Sequence, residues 1–201
     1  MHAVLERVAC QIANEVRGLD AETTQLHPGG LAYKWSVQEV VEHLVLGYRL
    51  TANNLETRLK KGRLSRKRTR TGLQWSLQLM ILSFGYLPQG VPALDETMPA
   101  PARLAMDGQQ LEDLLRREMT AMDALLDSCR HKFGIERVAT HPWLGPLRVD
   151  QWRRFHAVHG LHHLTQLQSV IAQVAAKPVP VRTSSSGSTK KLRIPAHRPL
   201  A

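Results

Sequence analysis

The sequence predicts an all-α protein: a four-helix bundle with one long crossover, followed by a tail that does not fold. Three observations carry this expectation. Four long stretches repeat apolar residues at helical spacing, and no run alternates apolar and polar residues over a useful strand length. Prolines 88, 92, 99 and 101 interrupt the chain between the second and third of those stretches, which makes that connection an irregular crossover.

The first helix covers roughly residues 2–18, with Val4, Val8, Ile12 and Val16 every four residues and Gly18 near its end. A turn containing His27-Pro28-Gly29-Gly30 follows. Ser36 then caps a second helix, and Glu39 three residues later completes a capping box. Val40, Val41, Leu44, Tyr48 and Leu55 form its apolar stripe before it fades into a basic run. Residues 73–84 are apolar enough for a short helix, and the crossover runs from Gly85 to Pro101. Asp107 caps the third long helix, roughly 107–131, whose stripe is Leu111, Leu114, Leu115, Met119, Met122 and Leu125. The segment His141 to Leu147, with Pro142, Gly145 and Pro146, reads as a turn leading to the fourth helix at about 149–175. From Lys177 the chain turns to Pro, Ser and Lys, and Thr183 to Ser188 holds too little apolar surface to fold. Residues 1–176 are thus expected to form one helical domain and 177–201 a disordered basic tail.

A chain of 201 residues that is 43% hydrophobic can bury a core, and a domain near this size hides about 70% of its unfolded surface. Aromatics make up only 5%, so that core should be aliphatic. No stretch approaches the roughly 18–20 apolar residues of a membrane span. The first residues lack the basic-then-apolar order of a signal peptide, and Cys10 and Cys129 suggest no disulfide framework, so a cytoplasmic location is expected.

The net charge of +10 suggests nucleic acid until it is mapped. Seven of the 27 basic residues fall in 60–70 and six in 177–201, with no acid in either segment. The other 14 are outnumbered by 17 acidic residues. The domain body is therefore slightly acidic, which argues against a fold built to read nucleic acid.

Four of ten histidines, His156, His159, His162 and His163, fall within eight residues of the fourth helix. Residues four apart share a helix face, so His159 and His163 could direct both Nε2 atoms at one ion. The same spacing also suits two hydrogen-bonded core histidines, and the pair alone does not separate the readings. A third ligand is required from a facing helix. His2 and His197 lie near the termini, His27 and His141 precede prolines in turns, and His131 ends a helix. His43 alone lies mid-helix on an apolar stripe.

These residues resemble a known family. Lys34-Trp35-Ser36-Val37-Gln38-Glu39-Val40-Val41-Glu42-His43-Leu44 is similar to the tryptophan-initiated second helix of the DinB/YfiT-like metalloenzyme superfamily. His159-Gly160-Leu161-His162-His163-Leu164-Thr165-Gln166 resembles its fourth-helix pattern of H-x-x-H-H-x-x-Q. His141 to Leu147 followed by Trp152, with the proline-rich crossover, is similar to one poorly characterised branch. The resemblance covers roughly residues 3–175 and implies a DinB-like four-helix bundle. It implies one divalent ion, nickel, zinc or iron, held by His43, His159 and His163. Some members of the superfamily are thiol S-transferases that use bacillithiol, mycothiol or glutathione.

A metal-dependent thiol S-transferase or hydrolase acting on a small molecule is accordingly the leading expectation. Its partners would be a low-molecular-weight thiol, the substrate and a second copy in a homodimer. Glu39 would accept from the Nδ1–H of His43 or simply complete the capping box. His156 would contact substrate or support a ligand, and Gln166 would bond a water or line the core. His162 is expected to pack between helices. The alternative is a non-catalytic helical module with a structural metal or none.

The basic run before the apolar 73–84 segment invites two further readings. One is a surface helix on anionic lipid. The other is a helix packed over the bundle mouth behind a solvated basic loop. The second is preferred, because Trp75, Leu77, Leu79, Met80, Ile81 and Leu82 are too uniformly apolar for a free surface helix. Nucleic-acid binding has less support, since no aromatic residue lies within 60–70 for stacking.

Overall fold

The structure, a computed structural model, describes residues 1–64, 69–88, 90, 92–100 and 104–176. The expected tail and residues 65–68 of the basic run lie outside the described residues. The described chain is mostly helical. Its helices are α1 (Ala3–Val16), α2 (Ala21–Gln25), α3 (Val37–Lys61), α4 (Gly72–Gln78), α5 (Gly108–Phe133) and α6 (Val149–Ala175). Two strands, β1 (Arg137–His141) and β2 (Gly145–Arg148), join α5 to α6.

The long helices begin where the capping chemistry predicts. Ser36 accepts from the Glu39 amide while the Glu39 carboxylate accepts from the Ser36 amide, and Asp107 and Gln110 repeat the arrangement at α5. Helix α3 stops at Gly62, whose φ of 62° is left-handed and costs a residue without Cβ little. His2, set aside above as a residue near the terminus, has a defined role. Its ring caps α1 by accepting from the Val4 amide, and its own amide donates to Asp123 at 2.7 Å.

Helix α3 packs on α5, and α1 packs on both α5 and α6. The shared core includes Leu5, Ile12, Val16, Val41, Leu44, Leu55, Leu111, Leu115, Met119, Met122 and Leu126, all fully buried. Two glycines permit close approach. A Cβ on Gly108 would lie 1.8 Å from the Val16 carbonyl oxygen, and one on Gly160 would lie 2.5 Å from a Val8 methyl. Gly160 lets α6 settle onto α1 in the same stretch that carries His159 and His163.

One expectation needs correction. The segment read as a turn at 141–147 is the centre of an antiparallel hairpin, with His141 opposite Gly145 and an irregularity between Arg137 and Ala139. Strands of five and four residues, one containing Pro146, are too short to show an alternating pattern. Their formation is decided by burial, since Val138, Ala139, Leu144 and Leu147 all enter the core. The apolar segment 73–84 is a helix, α4, that continues through a wider π-type turn at Leu79–Ser83. Its inner residues include Gln74 and Gln78, and the Gln78 amide donates to the Leu144 carbonyl at 2.7 Å. The crossover forms one short turn, Asp95–Thr97, which seats against α3.

Candidate metal centre

Helix α3 supplies His43 from its inward stripe, beside Leu44 and Val40. Helix α6 supplies His159 and His163, one turn apart. The Nε2 atoms converge: His159 lies 3.2 Å from His43 and 3.0 Å from His163. One ligating atom from each of the three lies within 4.8 Å of the others, so this group could hold a metal ion. Nitrogens bound at 2.0–2.1 Å in a tetrahedron stand about 3.3–3.4 Å apart, close to the spacing found.

The outward nitrogens explain why the rings face one another. His43 donates its Nδ1–H to the Thr97 carbonyl at 2.9 Å, and His163 donates its Nδ1–H to the Gln166 Oε1 at 2.8 Å. Both donations leave the Nε2 lone pair directed inward. His159 could donate an Nε2 proton to one of these acceptors but not to both. Its Nδ1 is buried and has no hydrogen-bond partner. With His159 protonated on Nδ1, three lone pairs would meet at about 3 Å and repel, and a cation between them would remove that repulsion.

The rings are kept neutral, as ligands must be. Burial lowers the His43 pKa, opposed by the bond to Thr97. Burial and then the adjacent His43 push His163 down to about 3. Burial, reinforced by His163 and His43, holds His159 well below the ordinary imidazole value. Trp35 lies over the cluster, its ring 4.9 Å from that of His43 and 6.4 Å from that of His163.

The site opens into a cavity of about 1120 Å³, walled by α3, α6, the inner side of α4, the crossover and the hairpin. Among the described lining residues there is no Asp or Glu, and Lys34 is the one Lys or Arg. The remainder is largely apolar or aromatic, including Leu77, Ile81, Leu87, Trp143, Trp152 and Phe155.

The other sequence candidates separate clearly. Gln166 orients His163 instead of simply lining the core. Glu39 does not reach the His43 ring nitrogen. It completes the capping box and lies 3.6 Å from His27, because a residue one turn earlier on α3 points toward the helix start. The capping-box reading of Glu39 holds, and Thr97 is the acceptor for His43. His156 is buried and bonded to Thr51 at 3.0 Å, one turn from the triad along α6. His162 is half-buried on the cavity wall, with its ring edge-on to His163.

Sequence reasoning missed three contributors. Thr97 comes from the crossover, where no pattern marks a carbonyl as an acceptor. Thr51 has no local signal on α3. His141 was set aside as a turn residue, yet it lines the cavity with its ring against Phe155 at 4.4 Å. Its Nδ1 accepts from the amides of Trp143 and Leu144, which leaves the proton on Nε2, and burial lowers its pKa to about 4.

No curated protein and no solved structure matches the chain. Residues 10–170 match one family, and that span holds all three converging histidines together with Thr97 and Gln166. With most of its length inside the match, the chain belongs to the family described as protein of unknown function (DUF1569).

Proposed function

We propose that this protein is a DinB-like four-helix bundle that holds one divalent ion, nickel, zinc or iron, on His43, His159 and His163. On this reading it carries out thiol S-transfer or hydrolysis on a small molecule. The observation that carries the reading is the convergence of three neutral Nε2 atoms, two of them aimed by acceptors on their far sides. A divalent ion there would act as a Lewis acid and make a thiol or water acidic enough to react near neutral pH.

The protein's own residues supply the remainder. Three uncharged ligands leave the full double charge of the ion in place, whereas carboxylate ligands would reduce it. Thr97 and Gln166 fix the two rings against rotation, the role that outer hydrogen bonds perform in metal sites generally. Trp35 and Phe155 exclude water from the side of the cluster they cover. The absence of a carboxylate among the described lining residues favours chemistry in which the reacting group is activated by the ion and not by a protein base. Lys34 and the ion together favour a substrate or thiol that carries an anionic group, and the apolar walls favour a hydrophobic body.

A purely structural metal is the second reading. It is disfavoured because structural sites are closed by four protein ligands, whereas these three stand at the wall of a large cavity. Metal analysis of untagged protein tests the proposal. The expected result is one ion per chain, lost in His43→Ala while the helical circular dichroism is retained. Stoichiometric metal in a His159→Ala/His163→Ala variant would overturn the ligand assignment. A screen with low-molecular-weight thiols and electrophiles then tests the reaction class.

A further inference from the structure

Helix α4 buries two glutamines while it and the turn after it expose several large apolar side chains. The residues facing the protein include Gln74 and Gln78, both buried. Gln78 donates to the Leu144 carbonyl, and Gln74 lies against Gly145, where a Cβ would approach the Gln74 Oε1 to 2.6 Å. Gln78 ties the helix to the backbone of the hairpin, and Gln74, engaged in the capping box with Thr71, packs against it. The outer arc is then left with Leu73, Trp75 and Leu79, continued by Phe84 and Tyr86 beyond the turn. Leu73 is 72% exposed, Phe84 76% and Tyr86 60%, levels at which water gains nothing from such side chains.

The stretch of sequence that carries this arc is basic. Residues 57–94 contain eight Lys or Arg and no Asp or Glu. Two arginines are placed at the flanks by direct bonds. Arg70 donates to the Gln78 side chain at 2.6 Å, and Arg154 donates to the Leu82 carbonyl at 3.2 Å. Neither forms an ion pair with a carboxylate among the described residues.

We infer that this face docks onto an anionic lipid surface, with Leu73, Trp75 and Phe84 entering the acyl boundary and Arg70 and Arg154 meeting the headgroups. An exposed aliphatic and aromatic arc rimmed by unpaired cations is the chemistry of interfacial helices. A single-stranded nucleic acid would use the cations and the aromatic rings, but Leu73 and Leu79 would then remain in water. A second copy of this chain would bring like charges together. The same segment contributes Leu77, Ile81 and Leu87 to the cavity wall, so docking would place the lipid surface beside the cavity. The inference does not depend on the metal proposal.

The test is co-sedimentation of the full chain with vesicles of phosphatidylglycerol and phosphatidylcholine, and with pure phosphatidylcholine. The expected result is binding to the anionic vesicles only, weakened by salt. Leu73→Gln/Trp75→Gln/Phe84→Gln should weaken it at least about tenfold, since these side chains supply the buried apolar area. Arg70→Gln and Arg154→Gln should each weaken it about fivefold. The loss in the triple variant counts only with an unchanged melting temperature. The Trp75 emission should shift to the blue on vesicle addition, a change missing in Trp75→Phe, which gives a readout even where the triple variant fails to fold. Four outcomes would overturn the inference: no vesicle binding, binding abolished by Lys190→Gln/Lys191→Gln/Arg193→Gln but not by the triple variant, tighter binding to single-stranded oligonucleotides that the triple variant removes, or a dimer in sedimentation that the triple variant dissociates.

Discussion

Gln166 gives the sharpest test of how the proposed metal centre is organised. It is partly exposed on α6 and its Oε1 accepts the His163 Nδ1–H at 2.8 Å. Gln166→Leu keeps the approximate volume and the helical propensity but removes the acceptor. The ring can then rotate or adopt the other tautomer, which would place a proton where the lone pair must face the ion. Loss of an outer hydrogen bond of this kind weakens metal binding about 10–100-fold, or roughly 1.4–2.7 kcal/mol. Fold stability should change little, by about 1 kcal/mol, because the bond is neutral and only partly buried. Gln166→Glu offers a carboxylate in the same position, which makes the ring more basic and should tighten binding. The assay is competition with a chromophoric chelator for zinc and nickel, run beside urea unfolding of the metal-free protein. Affinities within twofold of each other for all three proteins would show that Gln166 does not orient His163 or fix its tautomer.

Three further outcomes are expected. Burial holds His141 at about 4 and His156 at about 3, below the ordinary value of 6.5, so the unfolded chain takes up these protons first. Their contribution is complete above pH 6.5 and lost as pH falls toward those values, by about 2 kcal/mol each at pH 5. Urea unfolding at pH 7.5 and pH 5 should show a smaller loss in His141→Gln/His156→Gln than in the parent, and an equal loss would refute the assignment. Gly160→Ala should gain about 1 kcal/mol of helix propensity but force a Cβ toward Val8, with overpacking costing about 1–3 kcal/mol. A lower melting temperature together with weaker metal binding is the expected pair, and a higher melting temperature would show that α6 and α1 are not held this closely. Thr51→Val should strip His156 of its one bonded nitrogen, its Nδ1 being already unpartnered, at a cost of about 1–3 kcal/mol in thermal or chemical unfolding. An unchanged unfolding midpoint would argue that His156 finds another partner.

Much of this protein is local in its causes and therefore legible from the chain. The helix starts at Ser36 and Asp107 follow from side chains that reach their own backbone three residues on, and the stripes of α1, α3, α5 and α6 follow from a repeat near four. The pairing of His159 with His163 is likewise a property of one helix, and His43 stood out because it was the histidine placed mid-helix on an apolar stripe. What the sequence could not settle depends on segments meeting across long separations. The hairpin at 137–148 forms because burial against the helices outweighs strands too short to signal themselves. Thr97 is the acceptor for His43 because the crossover folds back over α3, and no residue pattern encodes where a backbone carbonyl will land. The outward face of α4 is the clearest case. Its composition suggested a covered helix, but Gln78 bonds to the hairpin, Gln74 packs against Gly145, and Leu73 and Trp75 are left to solvent. Periodicity records which residues share a face, and the contacts made in the folded chain decide which way that face points.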